Sequence, residues 1–308
     1  MMFHKVLVLG GSGFVGRHVV AGLVRRGTRV TVPSRRRERA KHLILLPTVD
    51  VVEADISQRG VLDRLARGHD ALINLVGVLH GDFARAHVEV PLAAITACRI
   101  AGIERLLHVS ALGTSADAPS EYLRSKAKGE QAMLDAVDRH VTVLRPSVIF
   151  GPEDRFLNQF AAMASLLPML AVPCPRARFQ PVYVGDVARA VAVALEDTET
   201  FGKHYDLAGP REYTLQELVE LVCAVTHRRR LLLGLPDSLS YLQAWLLEML
   251  PGSLMTRDNY RSMQVPNTSA APWPFGGERQ SLEAIAPGYL APSGPRERYP
   301  ELRWRARR

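Results

Sequence analysis

The chain has 308 residues, enough for one large domain or a domain with a smaller appendage. Its 47% hydrophobic and 23% charged residues match a soluble globular protein, and no apolar run is long enough to span a bilayer as a helix. The net charge of +8 invites a nucleic-acid reading, but aromatics are only 6% and no aromatic platform lies among the arginines, so nucleic acid is excluded as a partner. Three cysteines, Cys98, Cys174 and Cys223, lie far apart with no CxxC, which argues for a reducing compartment and against a metal site. The N-terminal apolar run is too short for a signal peptide and leads straight into a glycine turn.

Val6 to Leu9 suits a short buried strand. Gly10, Gly13 and Gly16 follow, with Ser12 between the first two and Phe14 and Val15 between the last two. An apolar-periodic run through Val19, Val20, Leu23 and Val24 then reads as a helix. Strand, glycine turn and helix in that order is what a dinucleotide pyrophosphate needs. Gly10 turns the chain off the strand, Gly13 lets backbone approach the phosphates, and Gly16 lets the helix lie close. The helix N-terminus then offers free N–H groups to the anion.

Gly27 ends that helix, and Arg29 to Val32 makes a second strand. A site for NAD(H) would carry an acid at its end to hold the ribose hydroxyls. This chain has Pro33-Ser34-Arg35-Arg36-Arg37 instead. An arginine pairs with a 2′-phosphate through its planar fork, so the expected cofactor is NADP(H) in preference to NAD(H). Arg35 or Arg36 is the expected partner, with Ser34 assisting and the rest of the run a solvated helix start.

Val49 to Glu53 is a third strand, and Asp55 and Ile56 after it suit the adenine. Asp55 equally suits the N-cap of a helix running to about Arg67. Asp70 to Val76 is a fourth strand, with Val76 and Gly77 placed near the cofactor ribose. A helix from about Phe83 to Ala101 ends at Gly102, and Glu104 to Ser110 is a fifth strand. The alternation predicts an α/β fold with a doubly wound parallel sheet.

Ser110 falls at a strand's C-terminal end, where such sheets bind ligands. Tyr122 and Lys126 are four apart, which puts phenol and ammonium on one helix face. The ammonium is expected to lower the tyrosine pKa, so that Tyr122 exchanges a proton with a substrate oxygen that Ser110 also holds. Lys126 also suits the nicotinamide ribose.

Val141 to Leu144 is a sixth strand, from which Pro146 and Val148 lead the chain over the nicotinamide. Arg155 to Leu166 reads as a helix, with Asn158 either facing substrate or lying on the surface. Phe179 to Val184 reads as a strand, and Asp186 as the cap of a helix to about Leu195. A capping box at Thr214 and Glu217 starts a helix to about Thr226. In residues 231–250, Leu239, Leu242, Trp245, Leu246 and Met249 form an amphipathic stripe. With Arg228 to Arg230 before it, this stripe is either core of a small lobe, the favoured reading, or a peripheral contact with a membrane or a respiratory complex. From Ser269 onward Pro, Gly and Arg dominate, which predicts an extended, partly ordered tail with its last residues mobile.

The run Gly10 to Gly16, Ser110, Tyr122 with Lys126, and Arg145 to Gly151 together resemble an extended or atypical short-chain dehydrogenase/reductase. Tyr122 to Glu130, Phe150 to Ala161, Pro181 to Ala188 and Met255 to Asn259 resemble, more narrowly, the nucleotide-binding accessory subunit of complex I and its bacterial relatives. The resemblance covers about residues 4–290. It implies a Rossmann-like core at 1–150, a small C-terminal α/β lobe interleaved with it at 151–268, and a tail at 269–308. It also implies NADPH as the ligand and a link to ubiquinone or to complex I, where the mitochondrial member is a structural subunit. The N-terminus is not transit-like, so the expectation is a free-standing bacterial relative, cytoplasmic and peripheral at the inner face of the membrane.

The reading is therefore an NADP(H)-dependent oxidoreductase acting on a carbonyl or alcohol of a small, quinone- or lipid-like molecule. A non-catalytic NADPH-binding structural or assembly protein, and a sugar-nucleotide epimerase or dehydratase, are the alternatives.

Overall fold

The computed structural model describes residues 3–250 and 255–291. Seven parallel strands form the central sheet: β1 (Lys5–Leu9), β2 (Arg29–Ser34), β3 (Val49–Glu53), β4 (Ala71–Asn74), β5 (Arg105–Val109), β6 (His140–Pro146) and β7 (Lys203–Leu207). Their order is β7-β6-β5-β4-β1-β2-β3, every neighbour parallel. The chain winds away from β1 in both directions, so a crevice opens outside the carboxyl ends of β1 and β4. This is the doubly wound, Rossmann-like α/β fold that the alternation predicts.

Both faces of the sheet are covered, which is why its strands read as apolar runs. Val6, Val8, Val30 and Ile73 pack on one side against α1 (Phe14–Arg25) and the helix Val184–Glu196. Leu7, Leu9, Leu72 and Leu106 pack on the other against α2 (Val61–Ala66), α3 (Val90–Ala101) and the far end of α4 (Glu121–Leu134). A third cluster forms the lobe, where Leu157 of α5 (Phe156–Leu166) meets Phe179 and the inner face of the helix Leu215–Val225. In chain order the two helices just named are α6 (Val184–Glu196) and α7 (Leu215–Val225), and α8 (Asp237–Glu248) follows.

Several local expectations change. The helix expected just after Asp55 begins only at Val61, entered from Gly60 at φ 71°. Asp55 instead accepts from the Ser57 N–H at 3.0 Å and closes a turn. The helix expected from Phe83 opens with a π turn, Arg85–Glu89, before α3. The strand expected at 179–184 is two pieces, Arg178–Phe179 and Val182–Tyr183, broken at Gln180-Pro181. Asp186 does not cap α6, which begins after Tyr183; its buried carboxylate instead accepts from the Gln280 N–H at 2.7 Å and pairs with Arg189 at 3.0 Å. In the expected extended tail, Leu282–Ile285 and Pro287–Leu290 are short helices whose Leu282, Ala286 and Leu290 join the lobe core. The last residues of that tail, expected to be mobile, lie outside the described residues.

The largest change concerns residues 231–250. Leu231–Gly234 is a strand pairing with Met169–Val172, and only Ser240 and Ala244 of the following helix, α8, are buried. The apolar stripe favoured as core faces outward.

Gly129 is the tightest helix contact. A Cβ there would overlap the His87 carbonyl oxygen, so α4 lies directly on the π turn. Gly129→Ala is expected to lower unfolding free energy by about 3 kcal/mol, the upper end for overpacking. Gly22→Ala in α1, where nothing lies within 4 Å, is expected to raise it by up to about 1 kcal/mol. Denaturant titration of both variants checks the pair.

Candidate active site

The glycine turn has the geometry its spacing predicts. Gly10 has φ 77°, and a Cβ there would come within 3.0 Å of the Leu75 backbone. A Cβ at Gly16 would overlap the backbone of Gly10 and Gly11, so α1 begins pressed against the turn itself. Gly13 is exposed and precedes α1 with no side-chain cap and no acid in the first turn. The first N–H groups of α1, from Phe14 and Val15 onward, are therefore left for an anion. Ser12 lies half-buried in the same turn. Glu153 pairs with Arg17 and His18 of α1, each at 3.1 Å, which ties the loop after Phe150 down over the turn.

At the end of β2, Ser34 is buried and donates to the Arg36 carbonyl at 2.9 Å, so its hydroxyl proton shapes the turn. Arg35 and Arg36 are exposed beyond it. Arg37 turns aside and lines a groove with Thr31, Asp50 and Arg64. Asp55 is held below the usual carboxylate range, first by its Ser57 hydrogen bonds and then by the charges of Arg85 and Arg35. Arg35, Asp55 and Arg85 thus share one neighbourhood, with Ile56 beside them half-buried.

Lys126 reaches the C-terminal end of β5, where Ser110 stands, and Tyr122 lies one turn before Lys126 on α4. Lys126 is buried and its Nζ donates to the carbonyl of Val109, the residue before Ser110, at 3.1 Å. Gly77 makes room for it: a Cβ there would sit 3.1 Å from Nζ. Burial pulls Lys126 down to about 8, with Glu130 one turn along opposing it. Glu130 is buried, paired with Arg145, and accepts from Thr114 at 3.2 Å. Ser110 Oγ is buried with no hydrogen-bond partner among the described residues.

The tyrosine differs from expectation. Burial pushes Tyr122 up to about 12, where the sequence led us to expect a lowered value from Lys126. The ammonium is engaged with Val109 and does not offset the desolvation.

Two buried histidines were not visible as site residues in the sequence. His87 stacks on Phe83 at 5.5 Å and meets the Tyr122 ring edge-on at 5.4 Å. Its Nε2 accepts from the Val78 N–H at 3.1 Å, so Nδ1 carries the proton and donates to Ser125 Oγ at 2.8 Å. Ser125 passes its own proton to the Tyr122 carbonyl at 2.8 Å. Burial first, then the Lys126 charge, lowers His87 to about 3. His108 is fully buried and lowered for the same reasons. Asn74 Oδ1 accepts from Val76 N–H, so its Nδ2 donates to His108 Nδ1 at 3.2 Å and leaves His108 Nε2–H unpartnered. Both histidines are thus neutral beside a buried cation.

The segment that follows β6, Ser147 and Val148, is pinned from far along the chain. Asn267 Oδ1 accepts from Ser147 Oγ at 2.6 Å and Val148 N–H at 2.9 Å, and its Nδ2 donates to the Leu112 carbonyl. The Pro146 carbonyl accepts from Leu112 N–H at 2.9 Å. Asp258 accepts from the N–H groups of Glu121 and Tyr122 at 2.7 and 3.0 Å, capping the helix that carries the tyrosine. Asn158 donates to the Pro152 and Asp154 carbonyls and holds that loop, which is the surface role considered for it.

The model of the NAD dependent epimerase/dehydratase family matches residues 6–208, which includes every strand of the central sheet but the tip of its first. The chain belongs to this family. Among curated relatives it is 37% identical to the mouse mitochondrial NADH dehydrogenase [ubiquinone] 1 alpha subcomplex subunit 9 over 72% of this chain and 61% of that one. It is 32% identical to a ceramide reductase of Caulobacter vibrioides over 75% of this chain and 74% of that one. The chain thus spans about three-fifths of the mouse relative's length. A solved UDP-glucuronic acid 4-epimerase from Bacillus cereus, in complex with UDP-glucuronic acid and NAD, has the same fold with TM-score 0.65 and 18% identity, over 84% of this chain and 99% of that one.

His87 gives the site a pH signature. Its folded pKa of about 3 lies below its unfolded value of 6.5, so from pH 6.5 downward the unfolded chain binds a proton that the folded chain refuses. Stability from this group is full above pH 6.5 and falls as pH drops toward 3, by about 1.4 kcal/mol per unit. His87→Gln is expected to flatten the slope of unfolding free energy between pH 6 and 4 by about one proton, as read by denaturant titration across pH.

Proposed function

We propose that the protein is an NADP(H)-dependent oxidoreductase that interconverts a carbonyl and an alcohol on a small quinone- or lipid-like molecule. The observation that carries this reading is the buried Lys126 beside Tyr122 and the unpartnered Ser110 hydroxyl, at strand ends next to an uncapped helix N-terminus. The residues present suit a dinucleotide. Gly10, Ser12, Gly13 and Gly16 with the N–H groups of Phe14 and Val15 would hold the pyrophosphate. Asp55 and Ile56 would meet the adenine, and Val76, Gly77, Pro146 and Val148 would flank the nicotinamide side. When bound, the nicotinamide exchanges a hydride equivalent with the substrate carbon.

The chain's own groups do the rest. Ser110 Oγ donates to the substrate oxygen, a role consistent with its lack of another partner. Tyr122 gives that oxygen a proton, or takes one in the reverse direction. Lys126 holds the ribose hydroxyls and, once drawn from Val109 toward them, offsets with its charge the burial that raises Tyr122. The cofactor preference rests on Arg35 and Arg36, exposed at the end of β2 where no carboxylate stands.

An apolar substrate is favoured by the name of the Caulobacter relative, and a quinone or respiratory-complex link by that of the mouse relative. We place nucleotide binding in residues 1–150 and substrate binding in 151–268. We place the protein in the cytoplasm, peripheral at the inner membrane face. No helix among the described residues is long and apolar enough to cross a membrane.

Tyr122→Phe is expected to bind NADPH normally and lose about a hundredfold or more in its oxidation by long-chain ketones or quinones. Loss of nothing would remove the catalytic assignment. NADPH bound but never oxidised by the unaltered protein would favour the non-catalytic reading. Replacing Arg35 and Arg36 together by Ala is expected to weaken NADPH by about tenfold to a hundredfold and leave NADH little changed, measured by fluorescence titration. Tighter NADH binding by the unaltered protein would contradict the cofactor preference.

A further inference from the structure

Helix α8 is amphipathic in the reverse sense for a core helix. Its inner side is small and polar. Ser240 is buried and accepts from the Cys174 N–H at 3.0 Å, Ala244 is buried, and Gln243 donates to the Ala171 carbonyl at 3.2 Å. Its outer side carries Leu239, Leu242, Leu246 and, just past its end, Met249, spaced to form one stripe. Leu246 is 51% and Met249 66% exposed. Tyr241 and Trp245 flank the stripe, also exposed.

The ribbon beneath extends this surface. Leu231 pairs with Met169, and both are exposed, as is Leu233 two residues on. Leu166 at the end of α5 is 81% exposed next to them in the lobe. Exposed leucines aligned on one helix face, with further exposed apolar residues on the neighbouring ribbon, mark an interaction site.

Charge selects the partner. Arg228, Arg229 and Arg230 run directly into the ribbon strand. Arg228 and Arg230 donate to the backbone carbonyls of Ser165 and Ala164 at 3.2 and 2.8 Å. None of the three pairs with a carboxylate among the described residues. Glu248, the acid at the far end of α8, is paired with Arg257 at 2.7 Å. Leucines flanked by a tryptophan, a tyrosine and arginines that carry no paired carboxylate match the acyl boundary and anionic headgroups of a bilayer.

We propose that this face docks the protein on an anionic membrane surface, with α8 lying in the interfacial plane. The docked face is one short helix from the candidate site: Tyr241 meets Tyr260 ring to ring at 5.4 Å, and Asp258 of that same helix caps α4 at Tyr122. Such a position lets an amphiphilic substrate pass from bilayer to site, a consequence that rests on the proposed function. The docking itself does not.

The test is co-sedimentation of the full chain, without nucleotide, with vesicles of phosphatidylcholine alone or with about one-quarter phosphatidylglycerol. The expected result is binding to the anionic vesicles at least about tenfold tighter than to the neutral ones, weakened at about 1 M salt. Leu242→Glu with Leu246→Glu should abolish it, and Arg229→Glu should weaken it about tenfold, both with an unchanged melting temperature since these side chains are exposed. No binding to anionic vesicles, or equal binding by the leucine variant, overturns the proposal. So does a dimer of the unaltered protein that the leucine variant dissociates without any vesicle binding, which would give the face to a second copy. None of these outcomes bears on turnover through Tyr122, which is read in solution with nucleotide.

Discussion

A lysine ammonium taken out of water must be compensated by its surroundings, and much of the candidate site is arranged around that of Lys126. It is held by one backbone carbonyl, that of Val109, and faces the Cβ-less side of Gly77. Glu130 supplies the nearest opposite charge from the next turn of the same helix, and Arg145 with Thr114 fixes Glu130 in turn. The same cation, after burial, keeps His87 and His108 neutral. Neutral His87 with its proton on Nδ1 fits between Val78 and Ser125, and this places its ring against Tyr122. A charged His87 would lose the Val78 hydrogen bond, because Nε2 would become a donor facing a donor.

The tyrosine is positioned by contacts from two distant parts of the chain. The π turn brings Phe83 and His87 against its ring, and Gly129 lets α4 lie close enough for that contact. Asp258 fixes the start of its helix from 136 residues away. Asn267 separately holds the segment after β6 at Ser147 and Val148. Residues far along the chain, Asp258 and Asn267, thus fasten the segments on which Tyr122 and Val148 stand.

The strand, glycine turn and helix at the N-terminus were legible because each glycine meets a steric demand that spacing alone reveals. Ser110, Tyr122 and Lys126 were legible as a group because a strand end and a helical spacing of four are both local signals. His87 and His108 carried no such signal: one sits on a π turn that has no sequence period, the other on a buried strand beside leucines. The seventh strand, Lys203–Leu207, escaped because it is an edge strand, its first residues exposed and polar. The stripe on α8 was found, but its direction was not. Periodicity shows that a helix has an apolar face; only packing shows what, if anything, covers it.

In the function proposed, this fold binds a reduced nicotinamide dinucleotide across the glycine turn and beside Lys126. The most direct test is to extract and identify the nucleotide carried by protein purified without added cofactor, and then to titrate the emptied protein with NADPH. The expected result is NADPH in the extract or, on titration, one bound per chain. No nucleotide in the extract together with no binding on titration would contradict it.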